Sequence, residues 1–176
     1  MKTIIATALA STFILAAQAA PAARGSATDI PNADVQALAK TMANMPGGDK
    51  LLRVVGINNG EYNVAVAIVH RAKAANIQAA LEHNQITEIY HVISGSGTMV
   101  SDGTIENMKA ATDPNTLAVV GPSAGGGRIV GGRSRKIGPG DVVIIPPNTA
   151  HGWSDVSEEL VYLVVRMDPK KVLKVQ

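Results

Sequence analysis

The apolar positions of the chain change their period once. In NADVQALAKTMANMPGG, Val35, Leu38, Ala39 and Met42 recur at the spacing of one helix face. Asn32 is placed to cap the start and Pro46-Gly47-Gly48 to stop it, so one short amphipathic helix is expected, a lid packed on the wall of a barrel. From Leu51 the pattern is that of strands. LLRVVGI, the turn Asn58-Asn59-Gly60 and YNVAVAIVH read as a hairpin, because Asn-Gly supplies the positive φ angles of a tight primed turn. Further short runs follow: IQAALEH, EIYHVI, GTMVS, LAVV, SRKI, DVVII, AHGWS and LVYLVVR. Gly, Pro, Asn and Asp separate them. Many short strands with almost no helix predict an all-β barrel or sandwich.

Two segments stand apart from this pattern. The chain opens with Lys2, an apolar run from Ile4 to Ala17 and an Ala17-Gln18-Ala19 cleavage signature. These predict a signal peptide over 1–19, too short for the roughly 20 residues of a membrane span. A flexible lead-in over 20–31 and a single domain over 32–176 complete the expected organisation. The product is expected to be secreted or periplasmic, with no membrane association after cleavage. The second segment, GPSAGGGRIVGGRSRK over 121–136, lacks the Gly-Lys-Ser/Thr of a phosphate loop. A mobile loop over the barrel mouth is expected, with Arg128 and Arg133 solvated or facing an anionic ligand.

Composition narrows the chemistry. There is no cysteine, which excludes a disulfide framework and a thiolate metal site. Without Lys2 the charges stand at 15 basic against 14 acidic, so nothing in the balance favours nucleic acid or an anionic membrane. Aromatics at 3% are too few for base-stacking or sugar-binding platforms.

The candidate chemistry lies in two stretches. In GPGDVVIIPPNTAHGW, Pro139-Gly140 suits a type II turn that launches a strand. Pro146 and Pro147 end that strand, since proline cannot donate to a ladder. The chain re-enters as a strand at Ala150, so His151 arrives at a barrel mouth. In EHNQITEIYHVISGSG, His83 and Glu88 flank a turn, and Gly95-Ser96-Gly97 is expected to end the strand that Glu88 opens. His83, Glu88 and His151 supply two imidazoles and one carboxylate, a set suited to Fe(II), Mn, Ni or Zn with positions left for water or substrate. Glu88 needs a cation in any case, a metal or an arginine. His83 could alternatively cap its turn, and His151 could be a hydrogen-bonded barrel histidine. Tyr90 shares the face of Glu88 and either offers its hydroxyl as acid/base or packs in the barrel. Trp153 either floors the pocket or fills the core. His70 is expected at a strand end in solvent. His91 alternates to the outer wall with Ile89 and Ile93, a face to be covered by the helix, the hairpin or a second subunit.

The second of these stretches resembles the first sequence motif of the cupin superfamily, and GPGDVVIIPPNTAHGW resembles the second, with its glycine, five residues, Pro, one residue, then Thr-Ala-His. The resemblance spans roughly 51–166. It implies a double-stranded β-helix (jelly-roll) barrel with one short N-terminal helix, commonly dimeric. It also implies a metal held by His83, Glu88 and His151. The family's first-motif pair of histidines is incomplete: residue 81, where one is expected, is Leu81. The function expected is that of an exported cupin binding one divalent ion and acting on a small organic molecule by dioxygenase-, isomerase- or lyase-type chemistry, with Glu88 and Tyr90 at the reaction. The alternative is a non-catalytic protein that binds a small molecule in the same cavity with weak metal or none.

Overall fold

A computed structural model describes residues 26–175. The expected signal peptide and residues 20–25 of the lead-in lie outside the described residues. The chain runs α1 (Asn32–Met42), β1 (Gly47–Ile57), β2 (Tyr62–Arg71), β3 (Ala80–His83), β4 (Thr87–Ser101), β5 (Thr104–Ile105), β6 (Lys109–Ala110), α2 (Pro114–Val120), β7 (Ser123–Gly126), β8 (Ile129–Val130), β9 (Arg133–Ile137), β10 (Val142–Ile145) and β11 (His151–Asp168). Every pairing between these strands is antiparallel, and β4 and β11 form the axis. β11 is bordered by β4 along one edge and by β3 and β2 along the other; β4 continues to β9 and β10. The main core lies between the curled faces, where Val92, Met99, Ile145, Trp153, Tyr162 and Val164 pack together.

The turns follow the sequence closely. Asn58, Asn59 and Gly60 all adopt positive φ between β1 and β2. Gly140 has φ +87°, and the Asp141 N–H donates to the Gly138 carbonyl at 3.1 Å, as the type II reading requires. α1 buries Val35 and Met42 against Ile68, with Ile93, Val161 and Leu163 alongside. It therefore covers part of the outer wall beside His91. Asn32 does not cap it. The cap position is Pro31, without a side-chain bond.

Three expectations fail for identifiable reasons. LAVV is not a strand but part of α2. Asp113 caps that helix, accepting from the Thr116 N–H at 2.8 Å, and Pro114 begins it, so the Asp-Pro start signal outweighs β-propensity. The 121–136 segment is not a loose loop. It contributes β7, β8 and β9, which pair with β3, β6, β5 and β4. Its glycines permit close backbone approach: a Cβ on Gly126 would stand 2.4 Å from the Glu106 carbonyl oxygen. Deleting the middle of this segment removes sheet, so the barrel is not expected to survive it. Arg128 and Arg133 pair on the surface with Glu106 and Asp102. Finally, Gly95-Ser96-Gly97 does not end a strand. β4 passes through it, and EIYHVI and GTMVS are one element, as are AHGWS and LVYLVVR.

That passage changes the parity of two strands together. In β4 the buried positions are Glu88, Tyr90 and Val92, then Gly97, Met99 and Ser101. In β11 they are His151 and Trp153, then Val156 and, beyond exposed Ser157-Glu158-Glu159, Leu160, Tyr162, Val164, Arg166 and Asp168. Register shifts between Trp153 and Tyr162 accompany the change, as bulges should. No shift falls between positions 88 and 91, and His91 points outward and is exposed.

Gly95 lies within the β4 switch, against the irregular 158–161 stretch of β11, with φ +79° and an added Cβ only 1.9 Å from the Glu159 carbonyl oxygen. Gly95→Ala is expected to destabilise the protein by at least about 2 kcal/mol in urea unfolding. Gly140→Ala, also at positive φ but with open space around the new methyl, should cost only about 1 kcal/mol.

Candidate metal centre and its cavity

The site begins with two turns tied to each other. After β10, Pro146 and Pro147 stop the ladder and Asn148 turns at φ +59°. The Asn148 N–H donates to the His83 carbonyl at 2.8 Å, and Asn84 Nδ2 donates to Asn148 Oδ1 at 3.1 Å. The strand stops hard because this turn must come back to clasp the β3–β4 turn. His151, first residue of β11, and His83, last of β3, are thereby set side by side, ring centroids 5.1 Å apart. Glu88 is the second residue of β4.

The three expected ligand residues do converge. Glu88 Oε2 lies 3.3 Å from His83 Nε2 and 3.4 Å from His151 Nε2. One ligand atom from each residue falls within 4.8 Å of the others, and all three residues are buried. Their hydrogen bonds fix the tautomers. His151 Nδ1 faces the Thr149 carbonyl at 2.8 Å, which only accepts, so in the neutral ring Nδ1 carries the proton. His83 Nδ1 faces Ser123 Oγ at 2.8 Å. That hydroxyl donates its own proton to the Gly121 carbonyl at 2.9 Å and so accepts from His83. Both Nε2 atoms then present lone pairs towards a carboxylate oxygen, and His151 Nε2 is buried with no hydrogen-bond partner. A closed cluster of acceptors facing one another is the donor set of a cation.

Glu88 is charged because of a residue the motifs do not contain. Arg166 lies directly across the β4–β11 ladder from Glu88, and its Nε donates to Glu88 Oε1 at 2.8 Å. Both side chains are essentially sealed, each residue 1% exposed. Arg166 also grips Asp49 of β1 with both Nη atoms and donates from Nη1 to the Val119 carbonyl of α2 at 3.2 Å. Burial opposes ionisation of Glu88, but the Arg166 charge beside it holds its carboxyl well below the usual range. Of the two cations that Glu88 could have required, the arginine is present, and it takes one oxygen only. Oε2 remains directed at the imidazoles. Arg166 closes the expected strand LVYLVVR, but no spacing marks it as the partner of Glu88.

Tyr90 donates its hydroxyl to Glu88 Oε2 at 2.9 Å. Burial above all, then the Glu88 charge, raises its pKa well above the ordinary phenol value, so it keeps its proton. Leu81 occupies the place of the missing histidine. It pairs in register with His151 and lines the cavity. Trp153 packs on Tyr162, centroids 5.8 Å apart, and belongs to the core rather than to the cavity that His83, Glu88 and Tyr90 line. His70 is not in solvent. It is 1% exposed, with Nε2 2.6 Å from Glu159 Oε1, because it shares the covered outer face of β2 with Ile68.

The cavity measures about 490 Å³ and reaches from Glu88 and His83 past Val69, Leu81 and Tyr162 to α2, where Thr116, Val119 and Val120 form its roof. A second space of about 280 Å³, bordered by His151 and Trp153, lies beyond Leu81 and Arg71.

This sheet order, with its cluster at one mouth of a curled antiparallel barrel, is that of a double-stranded β-helix. Several solved structures are similar to the chain. One is an uncharacterized conserved protein with a double-stranded beta-helix domain from Klebsiella pneumoniae (15% identity, TM-score 0.46, 73% of this chain and 82% of that one). Another is a cupin protein from Bacteroides fragilis (18%, 0.39, 64% and 72%). A putative sugar phosphate isomerase from Acidithiobacillus ferrooxidans matches at 20% identity and TM-score 0.40 over 69% of this chain, which spans 58% of that longer chain. No family model and no curated protein sequence matches the chain.

Removing Arg166 leaves buried Glu88 and half-buried Asp49 without their counter-ion. Arg166→Met is expected to destabilise the protein by about 3–5 kcal/mol, measured by chemical denaturation, and Arg166→Met/Glu88→Gln should recover part of that loss.

Proposed function

We propose that the protein is an exported metal-dependent enzyme of the cupin type that acts on a small organic molecule bound in the 490 Å³ cavity. One observation carries this reading: three buried acceptors, His83 Nε2, His151 Nε2 and Glu88 Oε2, face one another with the imidazole protons turned away. His83, Glu88 and His151 would hold a divalent ion, Fe, Mn, Ni or Zn. When bound, such an ion supplies Lewis-acid polarisation of a substrate oxygen or activation of water or O2. The protein's own residues do the rest. Ser123 and the Thr149 carbonyl fix the tautomers. Arg166 holds Glu88 ionised and oriented. Tyr90, with its raised pKa, keeps a proton at the cavity wall and serves as a donor, not a base. The apolar walls, Val69, Leu81 and Val120, exclude water.

A second reading, a non-catalytic binding protein, draws on two observations. Arg166 already neutralises Glu88, and Leu81 leaves the ligand set one histidine short. The export reading rests on the run from Ile4 to Ala17 with its cleavage signature. A homodimer contact would use β10, which among the described residues pairs only with β4 and leaves Val142 and Ile144 59% and 66% exposed.

Elemental analysis of untagged protein, reconstituted with Fe, Mn, Ni or Zn, should give about one ion per chain, and His151→Ala should release most of it. Absence of metal from the wild type after all four reconstitutions favours the binding-protein reading. Leu81→His should tighten metal binding by roughly tenfold or more, since it adds a donor beside His151; unchanged affinity in a competition titration against a chelator would place the ion elsewhere.

A further inference from the structure

The cavity contains a second arginine whose situation is the reverse of Arg166. Arg71 ends β2 on the same inward face as Val69, and it lines both the main cavity and the smaller space behind it. Its Nε is closed to solvent and has no hydrogen-bond partner. Among the described residues no carboxylate forms an ion pair with it. The one carboxylate whose charge reaches it, Asp49, turns both oxygens to Arg166, and the other groups acting on Arg71 are the hydroxyls of Tyr162 and Tyr90. Asp113, at the cavity mouth, is exposed and engaged in capping α2. A guanidinium keeps its charge at every accessible pH. Half-buried, with its Nε sealed and no carboxylate paired to it, it has hydrogen-bonding capacity to spare for an anion in the cavity.

The charge count points the same way. Glu88, Asp49 and Asp113 at the mouth, against Arg166 and Arg71, leave the site at −1. A divalent ion in the histidine–carboxylate cluster would raise it to a net +1, and an anionic ligand would offset that.

We propose that Arg71 is the anion-recognition residue of this cavity, taking the carboxylate of a small organic acid whose other end faces the His83/Glu88/His151 cluster. The assignment deepens the reading of the cavity as the substrate site and rests on it. A single free guanidinium matches the planar, two-oxygen face of a carboxylate. The apolar lining of Val69, Leu81 and Val120 suits the carbon body of such an acid better than a bare inorganic ion. The volume lies within the ~300–1,000 Å³ span of small-molecule sites.

The test is calorimetric titration of the full chain, both chelator-treated and Mn-reconstituted. The probes are succinate, glutarate and benzoate, each beside its neutral amide, together with inorganic phosphate. At least one acid should bind the wild type about tenfold or more tightly than its amide. Arg71→Met should weaken that acid by a similar factor, change amide binding less than about twofold, and leave metal stoichiometry as in the wild type. Arg71→Lys should fall between. The proposal is overturned if no acid binds the wild type, if acid and amide bind alike, or if Arg71→Met binds the acid as the wild type does. Tighter binding of phosphate than of every acid, with the same dependence on Arg71, overturns the carboxylate assignment. Should Arg71→Met not fold, the acid–amide contrast and Arg71→Lys decide. The metal reading is judged separately on the same samples. Arg71-dependent acid binding without any bound metal upholds this proposal and defeats the metal centre. Bound metal without acid discrimination does the opposite.

Discussion

The buried Arg166 is the constraint on which the rest of the site depends. A carboxylate inside a barrel would ordinarily take up a proton to escape the cost of desolvation. Arg166 prevents this by donating Nε to one oxygen of Glu88. Its own charge is in turn balanced by Asp49, and its remaining reach is fixed by the Val119 carbonyl. Three elements, β1, β4 and the α2 roof, are thus joined through one side chain of β11. Removing Arg166 leaves the buried Glu88 charge uncompensated, so this contact serves orientation more than net stability.

Because Arg166 occupies Oε1, the other oxygen is directed at the two imidazoles, and the surrounding hydrogen bonds settle which nitrogen of each ring is free. Ser123 comes from the glycine-rich segment and Thr149 from the turn after the prolines. Segments that resembled inert connections in sequence therefore set the protonation of the cluster. The same barrel holds two arginines of opposite character: one saturated with carboxylates, one without any.

Sequence patterning made the strands, the α1 face, the type II turn and the convergence of His83, Glu88 and His151 legible, since each follows from alternation, proline chemistry or motif spacing. Arg166, Asp49 and Ser123 were not legible. Their roles arise from partners 78, 117 and 40 positions away, and no local spacing encodes a contact of that range. The 121–136 segment was misjudged because glycine signals both freedom and close approach, and only the opposing backbone tells which. LAVV was misjudged because its apolar run masked the Asp113-Pro114 signal just before it. His70 deceived because a strand end need not be an exposed one when an adjacent bulge folds Glu159 over it.

The parity switches of β4, around Gly95, and of β11, between Trp153 and Val156, bear on how such a chain can evolve. His151 and Arg166 are separated by an odd number of positions, yet both face Glu88. An unbroken strand would send them to opposite sides. A one-residue insertion or deletion between 154 and 160 would turn either the imidazole or the guanidinium outward, while leaving every motif in the sequence intact. Among descendants of this gene, length should therefore be frozen in that stretch even where identity drifts, and a lineage that changed it would keep the signature of the site and lose its chemistry.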